Sequence, residues 1–174
     1  MKISIALALI LAPTLSAASE LKITLPTGQV IALETPMSWS AQVGRVRAEL
    51  PQAIVAESST SQGFKVAITP FWPEAAKGAE AKNIRDMIGN AAEAAKADAV
   101  NRSVEVQRFA APGKTGYFFV AVAAATEGDG YKYLSEGAVQ YGSILVTFTV
   151  LANEEYKLVI SETLQVLRTM RASQ

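Results

Sequence analysis

A short segment around Pro112 has the residue types of a phosphate-binding loop. The run from Ala111 to Thr115 reads APGKT, with a glycine, a lysine and a threonine in the order of such a loop. That loop also needs a glycine five residues before Gly113 and a following helix, whose first N–H groups hold the phosphate. Position 108 is an arginine, and the residues after Thr115 have the pattern of a strand. We therefore predict a surface turn between two strands here, and no phosphate site.

The same lysine belongs to a triplet found in penicillin-binding enzymes. Lys114-Thr115-Gly116 leads into a strand, as it does there, and Ser19 and Lys22 have the spacing of the nucleophile motif. Ser19 and Lys22 lie in a predicted strand, where no helical turn can bring the lysine beside the hydroxyl. No asparagine follows a serine or tyrosine by two positions, so the third motif is missing. The triplet therefore does not indicate this enzyme class.

Histidine and cysteine are both absent from the sequence. The chain therefore lacks the commonest general base, the Ser-His and Cys-His dyads, and most zinc ligands. Carboxylates could still act as a pair, but Asp86, Asp98 and Asp129 are dispersed, and the glutamates mostly fall on polar faces or turns. The turn at 127–130 has too few oxygen ligands for a calcium loop. We predict no catalytic residue, no metal site and no cofactor.

The candidate binding residues are aromatic. They are Phe71, Trp72, Tyr131, Tyr133 and Tyr141. The first two lie between prolines on a predicted loop, and the tyrosines lie in consecutive strand patterns. Aromatic side chains offer a large contact area at a small entropy cost, which suits recognition. Packing under a sheet is the alternative use, because aromatic residues dominate cores as well.

The elements that must position these residues follow a pattern of many strands and two helices. An alternating hairpin at 21–25 and 29–33 is followed by residues 34–57, which could hold a short helix, a strand or both. Further strands are predicted at 64–69, 103–109, 117–125, 131–139 and 144–151, with Pro70 ending the first of these and a possible bulge at Gly137. We therefore predict an α+β fold, a mainly antiparallel sheet of about six to seven strands packed by two main helices.

The two helices are indicated by apolar residues at helical spacing. The first, at about 80–100, presents Ile84, Met87, Ile88, Ala91 and Ala95 on one face. The second closes the chain, and its buried stripe is predicted at Tyr156, Ile160, Leu164 and Leu167. Asn153 is its predicted N-cap, and Arg168 and Arg171 are placed in its last turn, where positive charge suits the helix dipole.

The first eighteen residues have the pattern of a secretory signal peptide. Lys2 is followed by an apolar run from Ile3 to Leu11, then Pro13 and the small residues Ser16-Ala17-Ala18. That run is too short to cross a bilayer, which takes roughly 20 apolar residues. We predict a signal peptide at 1–18, with cleavage after Ala18 or, second, after Ala17, and a single domain at 19–174. The predicted location is periplasmic or secreted.

Charge excludes some partner classes. The chain has 16 basic and 16 acidic residues, without a basic cluster of the kind that binds nucleic acid or an anionic lipid surface. No later segment has the length and apolarity for stable membrane insertion. The remaining partners are another protein or an envelope component.

From Glu20 to Ala172 the order of elements resembles the PsbP-like α/β/α sandwich, the group that includes DcrB-like exported bacterial proteins of unknown function. The resemblance is carried by the hairpin LKITLPTGQVIAL, the strand GFKVAITP before the long helix, and the strands GYFFVAVAAA, YKYLSEGAVQYG and SILVTFTVLAN before the closing helix EEYKLVISETLQVLRTMR. Its members are known mainly as binding or assembly factors. The resemblance implies a non-enzymatic role by analogy, and it transfers no functional residue to this sequence.

Three functions are compatible with these observations. The leading hypothesis is an exported, non-enzymatic accessory or binding protein of the bacterial envelope. The second is a hydrolase using carboxylates or Tyr/Lys chemistry, which would require two acidic side chains converging in a deep cleft. The third is a carrier of a small apolar ligand between sheet and helix, which would require an apolar pocket of about 300–1,000 Å³.

Overall fold

The computed structural model describes residues 18–48, 50–58, 63–72, 81–100, 102–124 and 130–173. Over these residues the chain forms two antiparallel sheets and two α-helices. The strands are β1 (Ala18–Thr24), β2 (Val30–Pro36), β3 (Trp39–Gly44), β4 (Ala53–Ser58), β5 (Phe64–Phe71), β6 (Val106–Ala111), β7 (Lys114–Val122), β8 (Tyr133–Tyr141), β9 (Ile144–Ala152) and β10 (Arg171–Ser173). The helices are α1 (Ala81–Ala95) and α2 (Tyr156–Thr169). The predicted leader lies outside the described residues except for Ala18.

The main sheet has the strand order β3-β4-β5-β9-β8-β7-β6. Its second half is a meander in which β6 meets β7 and β8 meets β9 at two-residue turns, Pro112-Gly113 and Gly142-Ser143. Gly113 (φ +68°) and Gly142 (φ +57°) adopt the left-handed conformation that such turns require and that glycine tolerates. These two predicted turns are confirmed, whereas the turn predicted at 127–130 lies outside the described residues except for Gly130. The strands reach these turns directly, so β6, β7 and β8 run at 106–111, 114–122 and 133–141 instead of the predicted 103–109, 117–125 and 131–139.

Strand β5 extends through Pro70 to Phe71, so the prediction that Pro70 ends the strand is wrong. β9 pairs with β5 along its whole length, whereas pairing with β4 ends at Ile54 and Ile68. Pro70 therefore lies where β5 has a neighbour on one side only. A proline, which has no N–H to donate, is tolerated at such an edge position.

The region 34–57, for which the sequence allows a helix or a strand, contains the end of β2 followed by β3 and β4. β2 belongs to a small sheet with the order β1-β2-β10. The predicted hairpin of β1 and β2 is confirmed, but β10 is an addition. Arg171 lies in β10 rather than in the last turn of α2, because the backbone becomes extended at Met170 (φ −51°, ψ 132°).

The two faces of the main sheet carry separate cores. On one face, α2 and the small sheet cover apolar residues that include Ile68, Val146 and Phe148. On the other face, α1 packs across β6, β7 and β8, and Ile84 and Ile88 contact Phe119 and its neighbours. The predicted buried face of α1 is wrong at one position, Met87. Met87 is 41% exposed, and Ala92 is buried instead.

Gly137 is not a bulge, because β7, β8 and β9 pair without interruption through it. Its lack of a side chain leaves room for a ring. A Cβ at this position would overlap the ring of Phe148 and lie 2.6 Å from the Cβ of Phe118. The glycine therefore serves packing between the strand and the core.

Asn153 does not cap α2. The residue before the helix is Glu155, which makes no side-chain capping bond. The Asn153 side-chain oxygen accepts a hydrogen bond from the backbone N–H of Lys132 at 3.1 Å. The asparagine therefore joins the end of β9 to the start of β8.

Candidate functional site

Among the described residues, no element covers one half of a face of the main sheet beside α1. Because α1 packs over β6, β7 and β8, the same face of β4, β5 and β9 has an open cavity of about 440 Å³. We call this cavity the sheet groove. Its floor is made of side chains that share one face in the strand register. They are Val55, Lys65, Ala67, Thr69, Thr147, Thr149 and Leu151.

The floor combines apolar groups with hydroxyls. Thr149 lies opposite Ala67, which lies opposite Val55, and Thr147 lies opposite Thr69. Thr69 is buried, and the other floor side chains are half-buried. An apolar floor with a few polar groups is the common composition of a small-molecule site, because apolar contact binds and hydroxyls orient.

The loop between β3 and β4 forms one wall of the sheet groove through Arg45, Val46 and Leu50. Arg45 holds this loop, since its Nη1 donates to the carbonyl oxygens of Ala48 at 3.1 Å and Leu50 at 3.3 Å. Val46 is 51% exposed, so this wall presents an apolar side chain to solvent. Phe71 lies at the opposite wall, where it also packs against the core under α1.

A second cavity, of about 260 Å³, lies behind the same loop. It is lined by Trp72, by Arg45 and Leu50, and by the turn that follows β1. Phe71 and Trp72 are consecutive in the chain and therefore point to opposite faces of the sheet. The structure thus divides the predicted aromatic pair between two cavities, with Arg45 lining both.

The three tyrosines do not join this arrangement directly. Tyr133 stacks on Tyr156 of α2, with ring centroids 3.7 Å apart and an interplanar angle of 11°. Tyr141 lies at the other end of β8, under the ammonium group of Lys114. Tyr131 lies near Lys65 of the sheet groove, whose Nζ is 5.7 Å from its ring centroid. The predicted site is therefore not one cluster, and a binding role for these aromatic residues stays a prediction.

Lys114 belongs to both motifs that were compared with the sequence, the phosphate loop and the penicillin-binding triplet. In the structure it is a buried residue bonded to the backbone of α2. It is 8% exposed, and its Nζ donates to the carbonyl oxygen of Arg168 near the end of α2 at 2.7 Å. Burial lowers the pKa of this lysine below its usual value. The residue follows a two-residue hairpin turn and begins β7, so the helix that a phosphate loop requires is replaced by a strand.

Glu136 is a half-buried carboxylate on the same face as the sheet groove. It is the β8 neighbour of Thr149 in the register, and burial raises the pKa of its carboxyl group. Another cavity, of about 340 Å³, brings Glu34 and Glu162 to one lining between β2 and α2. Both carboxylates there have partners, since Glu34 is 2.8 Å from Arg171 and Glu162 accepts from Trp39 Nε1 at 2.9 Å.

Among the described residues, no three Asp, Glu, His or Cys side chains are grouped as metal ligands would be. In the same part of the chain, neither helix reaches the length and apolarity that a bilayer crossing requires.

Sequence reasoning missed the sheet groove. A signal for it exists in β9, where alternate residues from Ile144 to Ala152 are apolar but the other face carries Thr147 and Thr149. On β5 the same face carries Lys65 and Thr69. Polar residues on one face of adjacent strands indicate a surface that no helix covers.

No protein-family model matches the sequence, and no curated protein matches it. Solved structures do match by fold. The solution structure of cyanobacterial PsbP (CyanoP) from Synechocystis sp. PCC 6803 has a TM-score of 0.53 at 11% identity, covering 93% of this chain and 97% of that one. The crystal structure of LpqN, involved in cell envelope biogenesis of Mycobacterium tuberculosis, has a TM-score of 0.54 at 8% identity, covering 90% and 92%. The narrower resemblance to DcrB-like proteins stays a prediction. The chain has a PsbP-like α+β fold, with the small sheet of β1, β2 and β10 added to the predicted main sheet.

Proposed function

We propose that this protein is an exported, non-enzymatic binding protein of the bacterial envelope, and that the sheet groove is its binding site. The observation that carries the proposal is the half of the main sheet that no described element covers, where about 440 Å³ of open space lies over a floor of apolar and threonine side chains. The signal-peptide pattern at 1–18 supports export. The fold similarity to LpqN, a protein involved in cell envelope biogenesis, supports the envelope.

An uncovered sheet face needs a physical reason. Val55, Ala67 and Leu151 are half-buried, so part of their apolar surface still contacts water. Removing that surface from water is favourable by about 25 cal/mol per Å². A sheet that leaves such residues beside a cavity keeps this free energy available for a ligand or partner. Exposed apolar surface with polar residues at its rim is typical of interaction sites.

The hydrolase alternative has less support. It needs two converging acidic side chains in a deep cleft, and among the described residues the linings of the sheet groove and of the Trp72 cavity contain no aspartate or glutamate. Where Glu34 and Glu162 do share a lining, each is held by an arginine or an indole N–H. These contacts support a structural role for both carboxylates.

A photocrosslinking experiment in the native envelope tests the binding site. A photoreactive residue is placed at Val55 or Thr149 in the sheet groove, and at Gln107, an exposed position on edge strand β6, as the matched control. We expect the same adduct mass from both groove positions, no such adduct from Gln107, and its loss when Ala67→Trp fills the groove. Equal capture at all three positions would contradict the proposal.

A further inference from the structure

We propose that the ligand of the sheet groove is a single-chain amphiphile with an anionic headgroup, the headgroup at Arg45 and the apolar chain along β5. This inference rests on the proposed function, because it names the chemistry of the ligand for the same groove. It combines the carrier hypothesis with a charge preference that the sequence alone did not indicate.

The shape of the floor suits one extended chain. The groove follows β5 from Thr69 to Lys65, which is four residues along a strand, or about 13 Å. Val55, Ala67 and Leu151 supply the apolar contacts along this path. The volume of about 440 Å³ lies within the range of small-ligand sites, which is about 300–1,000 Å³.

The charges around the groove favour an anion at one end. The charged residues of its described lining are Arg45 and Lys65, both cationic, while Glu136 lies beside the middle of the floor as the register neighbour of Thr149. Lys65 lies opposite Glu57 in the strand register, so an acidic side chain offsets its charge at that end. Arg45 lies at the other end of the groove. It follows Gly44, which pairs with Ala53 at the start of β4, whereas Lys65 pairs with Glu57 near the end of β4. The positive end of the groove is therefore the Arg45 end.

Arg45 is positioned to receive a headgroup. A guanidinium has five N–H donors in a planar fork, and the donor in the bonds to the described residues Ala48 and Leu50 is Nη1. Those bonds fix the fork on its loop, so less side-chain entropy is lost when it pairs with a carboxylate. Val46, the next residue, places exposed apolar surface beside the first part of the bound chain.

Binding of matched amphiphiles tests the inference. Dodecanoate, dodecanol and dodecyltrimethylammonium have the same chain and different headgroup charge, and hexanoate has the same headgroup with a short chain. Calorimetric titration of the mature protein, below the micelle concentration or solubility limit of each probe, should give dodecanoate the tightest binding. We expect about tenfold weaker binding of dodecanol, because a hydrogen bond to a charged group is lost, and weaker binding still of the cation and of hexanoate.

Two pairs of variants locate the site. Arg45→Gln should reduce dodecanoate affinity about tenfold and leave dodecanol unchanged, whereas Arg108→Gln, an exposed arginine on β6, should change neither. Ala67→Trp should abolish binding of both probes, and Gln107→Trp should not. Equal affinity for all headgroups, or an Arg45→Gln protein that binds dodecanoate like the wild type, would overturn the inference.

The outcomes separate this inference from the proposed function. If no probe binds while photocrosslinking at Val55 and Thr149 still captures a defined species, the amphiphile is wrong and the groove remains the binding site. If neither experiment detects an occupant, both proposals fail.

Discussion

At the scale of single residues, two glycines of this chain have opposite surroundings. Gly137 lies in β8 under the ring of Phe148, whereas Gly89 lies in α1, where an added Cβ would meet no other described element of the fold within 4 Å. Glycine lowers helix stability by about 1 kcal/mol relative to alanine when no contact requires it. The same residue type is therefore needed at one position and replaceable at the other.

Alanine substitution at these glycines should change stability in opposite directions. Gly137→Ala forces a methyl group against the ring of Phe148 and should cost about 1–3 kcal/mol of unfolding free energy through overpacking. Gly89→Ala should add about 1 kcal/mol. Urea unfolding of both variants measures the difference, and a neutral Gly137→Ala would contradict the packing described here.

Lys114 should make stability depend on pH in the alkaline range. Burial lowers its pKa in the folded state, while in the unfolded chain the value returns to 10.5. Between these two values the unfolded state binds more protons, so this lysine makes the folded state gain stability as pH rises towards 10.5. Lys114→Met should lose that gain. The unfolding free energy of the wild type minus that of the variant should therefore increase with pH.

The control for this profile is Lys157→Met, an exposed lysine on α2, which should keep the wild-type dependence. Parallel wild-type and Lys114→Met curves from neutral pH to pH 10.5 would show that the buried lysine does not titrate as described.

At the scale of elements, the small sheet is joined by charges as well as by backbone bonds. Arg171 of β10 is 2.9 Å from Glu20 of β1 and 2.8 Å from Glu34 of β2. The pairs are solvent-exposed, with Arg171 at 60%, so each contributes little. The position of β10 depends mainly on its ladder with β2.

Arg171→Ala should therefore cost about 0.2–1 kcal/mol of unfolding free energy per pair at low salt. The cost should fall as salt is added, because the Debye length drops to about 3 Å at 1 M. Denaturant titrations at two salt concentrations measure it, with Arg108→Ala on β6 as the exposed control. A cost of the same size at high salt would indicate lost packing of the arginine stem instead.

Prediction from sequence succeeded where local signals were strong. Pro112-Gly113 and Gly142-Ser143 marked the meander turns, and alternating or apolar runs marked the strands between them. The sequence left the region of β3 and β4 open between helix and strand because each strand has only six residues, and β10 was missed because it has three. The polar faces of β5 and β9 indicated an exposed surface, but the place and size of the sheet groove depend on where α1 lies across the sheet, which is a tertiary property.

At the scale of the whole molecule, the predicted signal peptide meets the start of the fold. Cleavage after Ala18 would remove one residue of β1 and leave Ser19 paired with Thr35, whose hydroxyl donates to the Ser19 carbonyl at 3.1 Å. Cleavage after Ala17 would leave the whole strand. With either cleavage site, β1 remains paired with β2 as the edge strand of the small sheet.

Intact-mass measurement of the protein from a periplasmic fraction should give a chain that begins at Ser19. Replacement of Ala18 by leucine should shift or slow cleavage, because the peptidase requires small residues at this site. A cytoplasmic protein that retains Met1 would contradict the prediction of export.

The arrangement of β1 and β10 on either side of β2 has a mechanical consequence. Both strands run antiparallel to β2, and Ala18 lies at the Pro36 end while Ser173 lies at the Val30 end. A tensile force applied between these two residues therefore slides β1 and β10 past β2 in shear. Ladder hydrogen bonds are perpendicular to the strands, so many must break together rather than one after another. Stretching from end to end is thus resisted first by the small sheet, before tension reaches the groove.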